Sequence, residues 1–219
     1  MERFIGLKNN HILQAWLVIS LALVFGGGLA GVQLTLGPRI EANKVNETLE
    51  RVPELVLGRS LARTFSAQNQ TLEVVPERIE VALNDQTRFY SVYLATYQGD
   101  LRGWVTKAGG QGYADKIELL IGLDPNVETI TGLFILDQKE TPGLGNKIVT
   151  AEWRRQFNQK PLKGRLKVVK HGADAADEID AVTGATISSK SVVAIINSAV
   201  TDLKGPLMAG GTSHSGRNN

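Results

Sequence analysis

Cysteine is absent from the 219 residues of this chain. Without a thiolate, the chain itself holds no Cys-ligated iron–sulfur cluster or zinc, no disulfide and no Cys nucleophile. A cysteine-free protein suits either side of a membrane, so the redox compartment stays open. Histidine is scarce, at three. His11 borders an apolar segment and His214 lies in a polar tail, which leaves His171 to weigh for site chemistry; a solvated turn histidine is the plainer reading of it. An excess of one charge is missing too, with 24 basic residues against 22 acidic. That balance gives no long-range attraction for nucleic acid, and no nucleic-acid partner is expected. Nor is there a dinucleotide fingerprint of the G-x-G-x-x-G kind after a strand, because the glycine run at residues 26–31 lies inside an apolar stretch.

That stretch is the most conspicuous feature present. Residues 12–38 carry no charged side chain. About 20 helical residues rising about 1.5 Å each cover the roughly 30 Å hydrocarbon core of a bilayer. Trp16 sits near one end, where an indole favours the interface. A cleavable signal peptide is the competing reading, with Arg3 and Lys8 as its basic region. The apolar stretch continues past the glycines to Leu36, which is long for such a peptide and favours an anchor. Gly26, Gly27, Gly28 and Gly31 either form a small-residue face for another membrane helix or are simply tolerated. Basic residues before the span, and mixed charges after it, give a short cytoplasmic tail and a large extracytoplasmic domain.

The chain is therefore expected to comprise a cytoplasmic tail at 1–10, a transmembrane helix at 11–37, a helical stalk at 38–54 ended near Pro53, a globular domain at 55–203 and a disordered tail at 204–219. Within the domain, strands are expected at 89–97, 116–123, 127–136 and 165–170, the middle two joined through Asp124-Pro125-Asn126 as a hairpin. Helices are expected at 150–158 and 191–203; in the second, Val192, Ile196, Ala199 and Leu203 recur at helical spacing. The pattern predicts an α+β domain with a mostly antiparallel sheet.

Three segments carry candidate chemistry. Asp180-Ala181-Val182-Thr183-Gly184-Ala185-Thr186-Ile187-Ser188-Ser189 is a hydroxyl-rich loop leading into the last helix. Gly184 can take backbone angles closed to other residues, and Ser188 or Ser189 can cap the helix. Free N–H groups and the dipole at that helix start suit a phosphate. Glu140-Thr141-Pro142-Gly143-Leu144-Gly145 follows a strand and contains a tight-turn signal. Residues 109–113 are read as a third, flexible glycine turn. Around one sheet, the three would border a flat cleft.

Together, in this order, these segments resemble the FMN-binding domain family over about residues 88–203. Thr183-Gly184-Ala185-Thr186 is similar to that family's flavinylation motif, whose last hydroxyl is joined to FMN by a phosphoester through a dedicated flavin transferase. The resemblance implies covalent FMN on Thr186. Thr183, Gly184, Ala185 and Ser188 would surround the phosphate, and Thr141, Leu144 and Gly145 would line the ring site. Trp153 or Tyr113 either stacks on the ring or is ordinary packing; Lys190 either offsets phosphate charge or is solvated; Glu140 either holds its loop or faces water. Within the family the chain is most similar to G-type subunits of Rnf complexes, which couple ferredoxin/NAD electron transfer to ion translocation. That implies an electron-relay subunit in a bacterial inner membrane, its domain on the periplasmic side, among other integral membrane and redox subunits. The C-type subunit of a sodium-pumping NADH:quinone reductase, or a periplasmic binding or adaptor domain without flavin, are the alternatives. Residues 136–139 (Leu-Asp-Gln-Lys) depart from a family pattern that contains histidine. Flavin carries the redox chemistry, so no catalytic acid–base residue and no metal is expected.

Overall fold

A computed structural model describes residues 11–83 and 86–215. The chain divides into two compact units, residues 1–47 and 48–219. The expected tail at 1–10 and residues 216–219 lie outside the described residues.

The first helix, α1 (His11–Leu57), supplies all that is described of the first unit. It is long and apolar enough to cross a membrane, and none of its most apolar window is buried. The hydroxyls of Ser20 and Thr35 donate to backbone oxygens four residues back, Trp16 O and Gly31 O, each at 2.8 Å. These side chains therefore carry no unpaired hydroxyl into an apolar surrounding.

Two expectations about this helix need correction. It does not end at Pro53, and the globular unit does not begin at residue 55. Helix runs through Pro53 to Leu57, and the second unit starts at Thr48. Thr48, Val52, Leu55 and Val56 fall on one helix face and are all buried. Val52, Leu55 and Val56 pack with Tyr93, Ala95, Val105 and Leu120. Burial of this stripe outweighs the hydrogen bond that Pro53 cannot make. After α2 (Arg59–Ala67), the chain enters the sheet.

Six antiparallel strands form a meander in sequence order: β1 (Glu73–Leu83), β2 (Gln86–Tyr97), β3 (Asp100–Gln111), β4 (Lys116–Leu123), β5 (Thr129–Asp137) and β6 (Lys160–Pro161). Between β5 and β6 lies the short helix α3 (Ala151–Arg154), continued by a single 3-10 turn at Arg155–Phe157, so the helical segment flanked by Thr150 and Asn158 stands where the short helix at 150–158 is expected. β7 (Lys167–Val169) and β8 (Glu178–Asp180) form a separate parallel pair. The last helix, α4, spans Thr186–Ser215.

Alternation along the strands gives the sheet two apolar faces. Ile117, Leu119 and Ile121 pack with Val192, Ile196 and Leu203 of α4. Leu120, pointing the other way, meets the end of α1. There the helix lies directly on the sheet: a Cβ at Gly132 would stand 3.1 Å from the Leu55 side chain, and the Thr131 hydroxyl donates to Leu55 O. The middle of α4 is held by polar contacts, with Tyr90 Oη donating to Asp202 at 2.6 Å and Arg88 bonding Asp202 and Ser198. Burial and the bond to Asp202 push the Tyr90 hydroxyl pKa up.

The expected disordered tail at 204–219 is also corrected over residues 204–215. α4 continues to Ser215, and Leu207 is buried in the core, which carries the helix past Pro206. A further correction concerns residues 109–113. Gly109, Gly110 and Gln111 are strand residues paired with Glu118, Ile117 and Lys116, and only the link at 112–115 turns. A Cβ at Gly110 would lie 2.7 Å from Ile195, so glycine there admits α4 rather than a flexible loop.

Candidate functional site

The loop after β8 begins at a clamped residue. Asp180 O accepts from the Trp153 indole N–H at 2.8 Å and from Gln156 Nε2 at 3.3 Å, and Asp180 N–H donates to Gln156 Oε1 at 2.7 Å. Trp153 is buried, with Phe157 edge-on at 5.2 Å. It holds the loop from beneath and presents no open face for stacking. Tyr113 is 63% exposed and leaves its ring free.

Residues 182–185 then form a tight turn. Ala185 N–H donates to Val182 O at 2.9 Å, and Gly184 takes φ +78°. Thr183 and Gly184 are the central residues, and the positive φ explains the glycine. α4 starts immediately after, at Thr186. The first amides of any helix lack intrahelical acceptors, so N–H groups and the positive end of the helix dipole gather beside this residue.

The hydroxyls of the loop divide sharply. Ser189 is buried; its Oγ accepts from Val182 N–H and donates to Ala185 O, so it braces the turn. Ser188 is buried and donates to Glu140 Oε2. The Ser188 side chain therefore does not cap the helix, as one of the two expected serines could, and its N–H is what it keeps for a ligand. Among the described residues, the Thr183 and Thr186 hydroxyls make no hydrogen bond. Thr183 is exposed at the turn, and Thr186 is half-buried at the helix start.

Glu140 is the residue whose role the sequence leaves undecided, and it is the hub. It is 4% exposed. One carboxyl oxygen takes the Ser188 hydroxyl; the other takes the Ala114 N–H at 3.1 Å. It thus ties the 112–115 turn to the first turn of α4. Two glycines make room for it. A Cβ at Gly145 would fall 2.9 Å from Glu140 Oε2 and 2.8 Å from Ser188 Oγ, and one at Gly112 would collide with Glu140 Oε1. The expected tight turn at Pro142-Gly143 is present, with Leu144 N–H donating to Thr141 O at 3.2 Å and Gly143 at φ +77°. A Cβ at Gly184 would lie 3.0 Å from Leu144 Cδ2, so the two turns face one another.

The structure therefore brings Leu144, Gly145, Gly184, Ala185, Thr186 and Ser188 together, with Thr141 at the exposed start of its turn. Thr141 and Leu144 are exposed, and Gly145 and Ala185 are buried. Beside the first turns of α4 lies an open cleft of about 900 Å³, in which Lys190 and Lys107 are among the cations. Lys190 is exposed, in keeping with the solvated reading. Nearby, Glu118 is held down to about 2, first by the Lys116 ammonium and then by Lys107, which outweigh its partial burial. His171 is exposed in a bend, in keeping with a solvated turn histidine.

Fold and site together define an α+β module that presents an unpaired threonine hydroxyl and helix-start amides, a donor set suited to a phosphate ester. Residues 112–201 match the FMN-binding domain family. The chain is 35% identical over 123 residues to the G-type subunit of the Na(+)-translocating ferredoxin:NAD(+) oxidoreductase complex of Acetobacterium woodii, covering 55% of this chain and 58% of that protein. It is 33% identical over 141 residues to the G-type subunit of the proton-translocating ferredoxin:NAD(+) oxidoreductase complex of Clostridium ljungdahlii, covering 62% of this chain and 74% of that one. Among solved structures, NqrC of Shewanella oneidensis shares the fold, with TM-score 0.60 and 20% identity over 77% of this chain and 99% of that chain. The chain belongs to the FMN-binding domain family. It spans just over half the length of the first curated relatives, at 58% and 52%.

Proposed function

We propose that this chain is an electron-relay subunit of a membrane complex that couples ferredoxin/NAD electron transfer to ion translocation, carrying FMN joined through its phosphate to Thr186. The observation that carries the attachment point is the division of hydroxyls. Ser188 and Ser189 are committed inside the fold, whereas Thr186 opens α4 with a free hydroxyl beside unpaired amides.

Bound FMN would supply the one- and two-electron redox chemistry. The chain's part is to hold and orient. Thr186 Oγ1 is the anchor. The amides at the start of α4, including that of Ser188, face the phosphate charge. The 182–185 turn aims the anchor; Ser189 braces it from within, and Trp153 and Gln156 hold it at Asp180. Glu140 fixes the first turn of α4 against the 140–145 loop, whose Thr141, Leu144 and Gly145 would flank the ring. A flavin transferase would install the group. Covalent attachment suits an extracytoplasmic domain, where a lost cofactor could not be replaced. In this reading α1 is a single-pass anchor in a bacterial inner membrane, with the domain on the periplasmic side.

Identity of 33–38% with G-type subunits, against 28% with C-type subunits of the sodium-translocating NADH:quinone reductase, favours the ferredoxin-linked assignment. The chain has no cysteine for a cluster, so its electrons must pass to redox centres on other subunits. Isolated protein is expected to show no NADH oxidation, and mild-detergent pull-down is expected to recover integral membrane partners. The decisive test is mass spectrometry of the peptide containing Thr183 and Thr186. The wild-type peptide should carry the flavin phosphate mass, and Thr186→Ala should lose it while remaining folded. A flavin mass that persists in the variant, or that maps to Thr183, refutes the assignment.

A further inference from the structure

A second pocket, of about 170 Å³, is bounded by the end of α1, the start of α2, β5 and α3. Four arginines line it, Arg51, Arg59, Arg154 and Arg155, against one carboxylate, Glu54. Four positive charges less one negative leave an excess of three. Glu54 is already engaged, with Arg59 at 2.8 Å and Arg51 at 4.0 Å. Arg51 and Arg154 converge on the same ring, their guanidinium carbons 4.4 and 5.0 Å from the Phe134 centroid. Arg154 also donates to Leu133 O and Val149 O. Burial, and then the neighbouring charges of Arg51 and Arg59, pull its pKa below the usual arginine range although Glu54 opposes them. Arg51 Nε is buried and has no acceptor among the described residues.

Like charges gathered this closely repel one another, and an ion-pair network would normally offset them. Here the single carboxylate cannot. We infer that the pocket bounded by α1, α2, β5 and α3 binds a phosphate-bearing anion through Arg51, Arg59, Arg154 and Arg155. Planar guanidinium forks match phosphate oxygens, and an excess of three positive charges is better balanced by a phosphate than by a single carboxylate. The volume equals roughly five or six water molecules, room for one phosphate group and a little solvent. A small concave site of this kind fits a headgroup or a free phosphate ester better than the flat surface of a protein partner. It lies apart from Thr186 and does not depend on flavin attachment.

The test is calorimetric titration of the full chain in neutral detergent, at fixed ionic strength, with inorganic phosphate in one arm and a short-chain phosphatidylglycerol in the other. Saturable binding is expected in at least one arm. Saturation by phosphate itself identifies a soluble phosphate site; saturation by the lipid alone identifies a headgroup site. Arg59→Gln with Arg155→Gln, both on exposed side chains, should weaken binding by roughly tenfold or more. Lys163→Gln with Lys170→Gln removes the same charge from exposed positions elsewhere and should leave it unchanged. Absence of saturation in both arms, equal affinity in the arginine variant, or an equal loss in the lysine variant overturns the inference. Circular dichroism of each variant confirms that folding is not the variable.

Discussion

Replacing Glu140 with alanine is the sharpest test of how the site is held together. The carboxyl is 4% exposed and accepts from the Ser188 hydroxyl and the Ala114 N–H. Ser188 is 2% exposed, so its donor would have no water to turn to. Leaving a buried donor unpaired costs about 1–3 kcal/mol. Ala114 is exposed and recovers a water partner, so its loss adds roughly 0.5–1 kcal/mol. A space also opens between Gly112 and Gly145, both of which exist to admit this side chain. The expected total is about 3 kcal/mol, or roughly a 6–12 °C fall in melting temperature for a domain of this size. Calorimetry or circular dichroism of the full chain in detergent reads it. Glu140→Gln keeps one acceptor, for the Ala114 N–H, and its amide NH2 can only donate toward the Ser188 oxygen, so it should fill the space and recover part of the loss. Ser188→Ala removes the stranded donor, so the double variant should be more stable than the sum of the single changes implies. Flavin attachment, followed by mass spectrometry, should slow in Glu140→Ala beyond what its remaining folded fraction explains. Additive Ser188 and Glu140 effects, or an unchanged melting temperature, would refute the hub.

Three further outcomes follow from the packing and charges. Gly122→Val should destabilise by about 1–3 kcal/mol, because a Cβ there would lie 2.7 Å from Thr131 Oγ1 and collide with Leu55 O; a melting temperature equal to wild type would show that α1 does not rest on the sheet as described. Glu118 titrates at about 2 when folded, below its ordinary 4.5, so it contributes stability above that ordinary value, and the contribution is lost as pH falls from 4.5 toward 2. Glu118→Gln should flatten stability across that window, and an unaltered slope in acid unfolding would contradict the pairing with Lys116 and Lys107. A chain beginning at Thr48 should unfold at a higher temperature than one beginning at Leu55, since the shorter one discards the fully buried Val52, worth roughly 1.5–3 kcal/mol; equal stability would return the boundary to residue 55.

The elements that sequence makes legible are those whose periodicity is uncluttered. The hairpin of β4 and β5 and the core face of α4 stand close to where alternation and helical spacing put them. β1 escapes such reading. Its residues EVVPERIEVAL combine a proline with charges, the pattern of an edge strand that faces water along one side, and edge position is a tertiary fact. The two helix ends mislead for one reason. Pro53 signals termination locally and the small, polar residues around Pro206 look like a tail, but buried neighbours, Val52 and Leu55 in one case and Leu207 in the other, carry the helix onward. Burial of a specific side chain is invisible until its partner strand is in place. The strand residues Gly109 and Gly110 show the converse: a glycine pair that looks flexible in sequence is a flat surface against which Ile195 can approach.

The site shows the same division. That a hydroxyl-rich loop precedes a helix is plain from residues 180–189, and so is the Pro142-Gly143 turn. Apart from the family resemblance, the sequence does not rank the hydroxyls, because Thr183, Thr186, Ser188 and Ser189 are chemically similar and closely spaced. Ranking requires knowing which are already spent. Ser189 is spent inside its own turn. Ser188 is spent on a residue 48 positions away in the chain. A carboxyl just ahead of a Pro-Gly turn and a small-residue loop, as at Glu140, is an expensive group to bury without purpose, but no sequence pattern names its partner. Once the two serines are accounted for, only threonines remain. Thr183 stands at the exposed crest of the turn, whereas Thr186 stands where the amides of α4 are unpaired. The attachment point we propose at Thr186 is thus supported by subtraction within the fold as well as by the motif, and the two arguments rest on different residues.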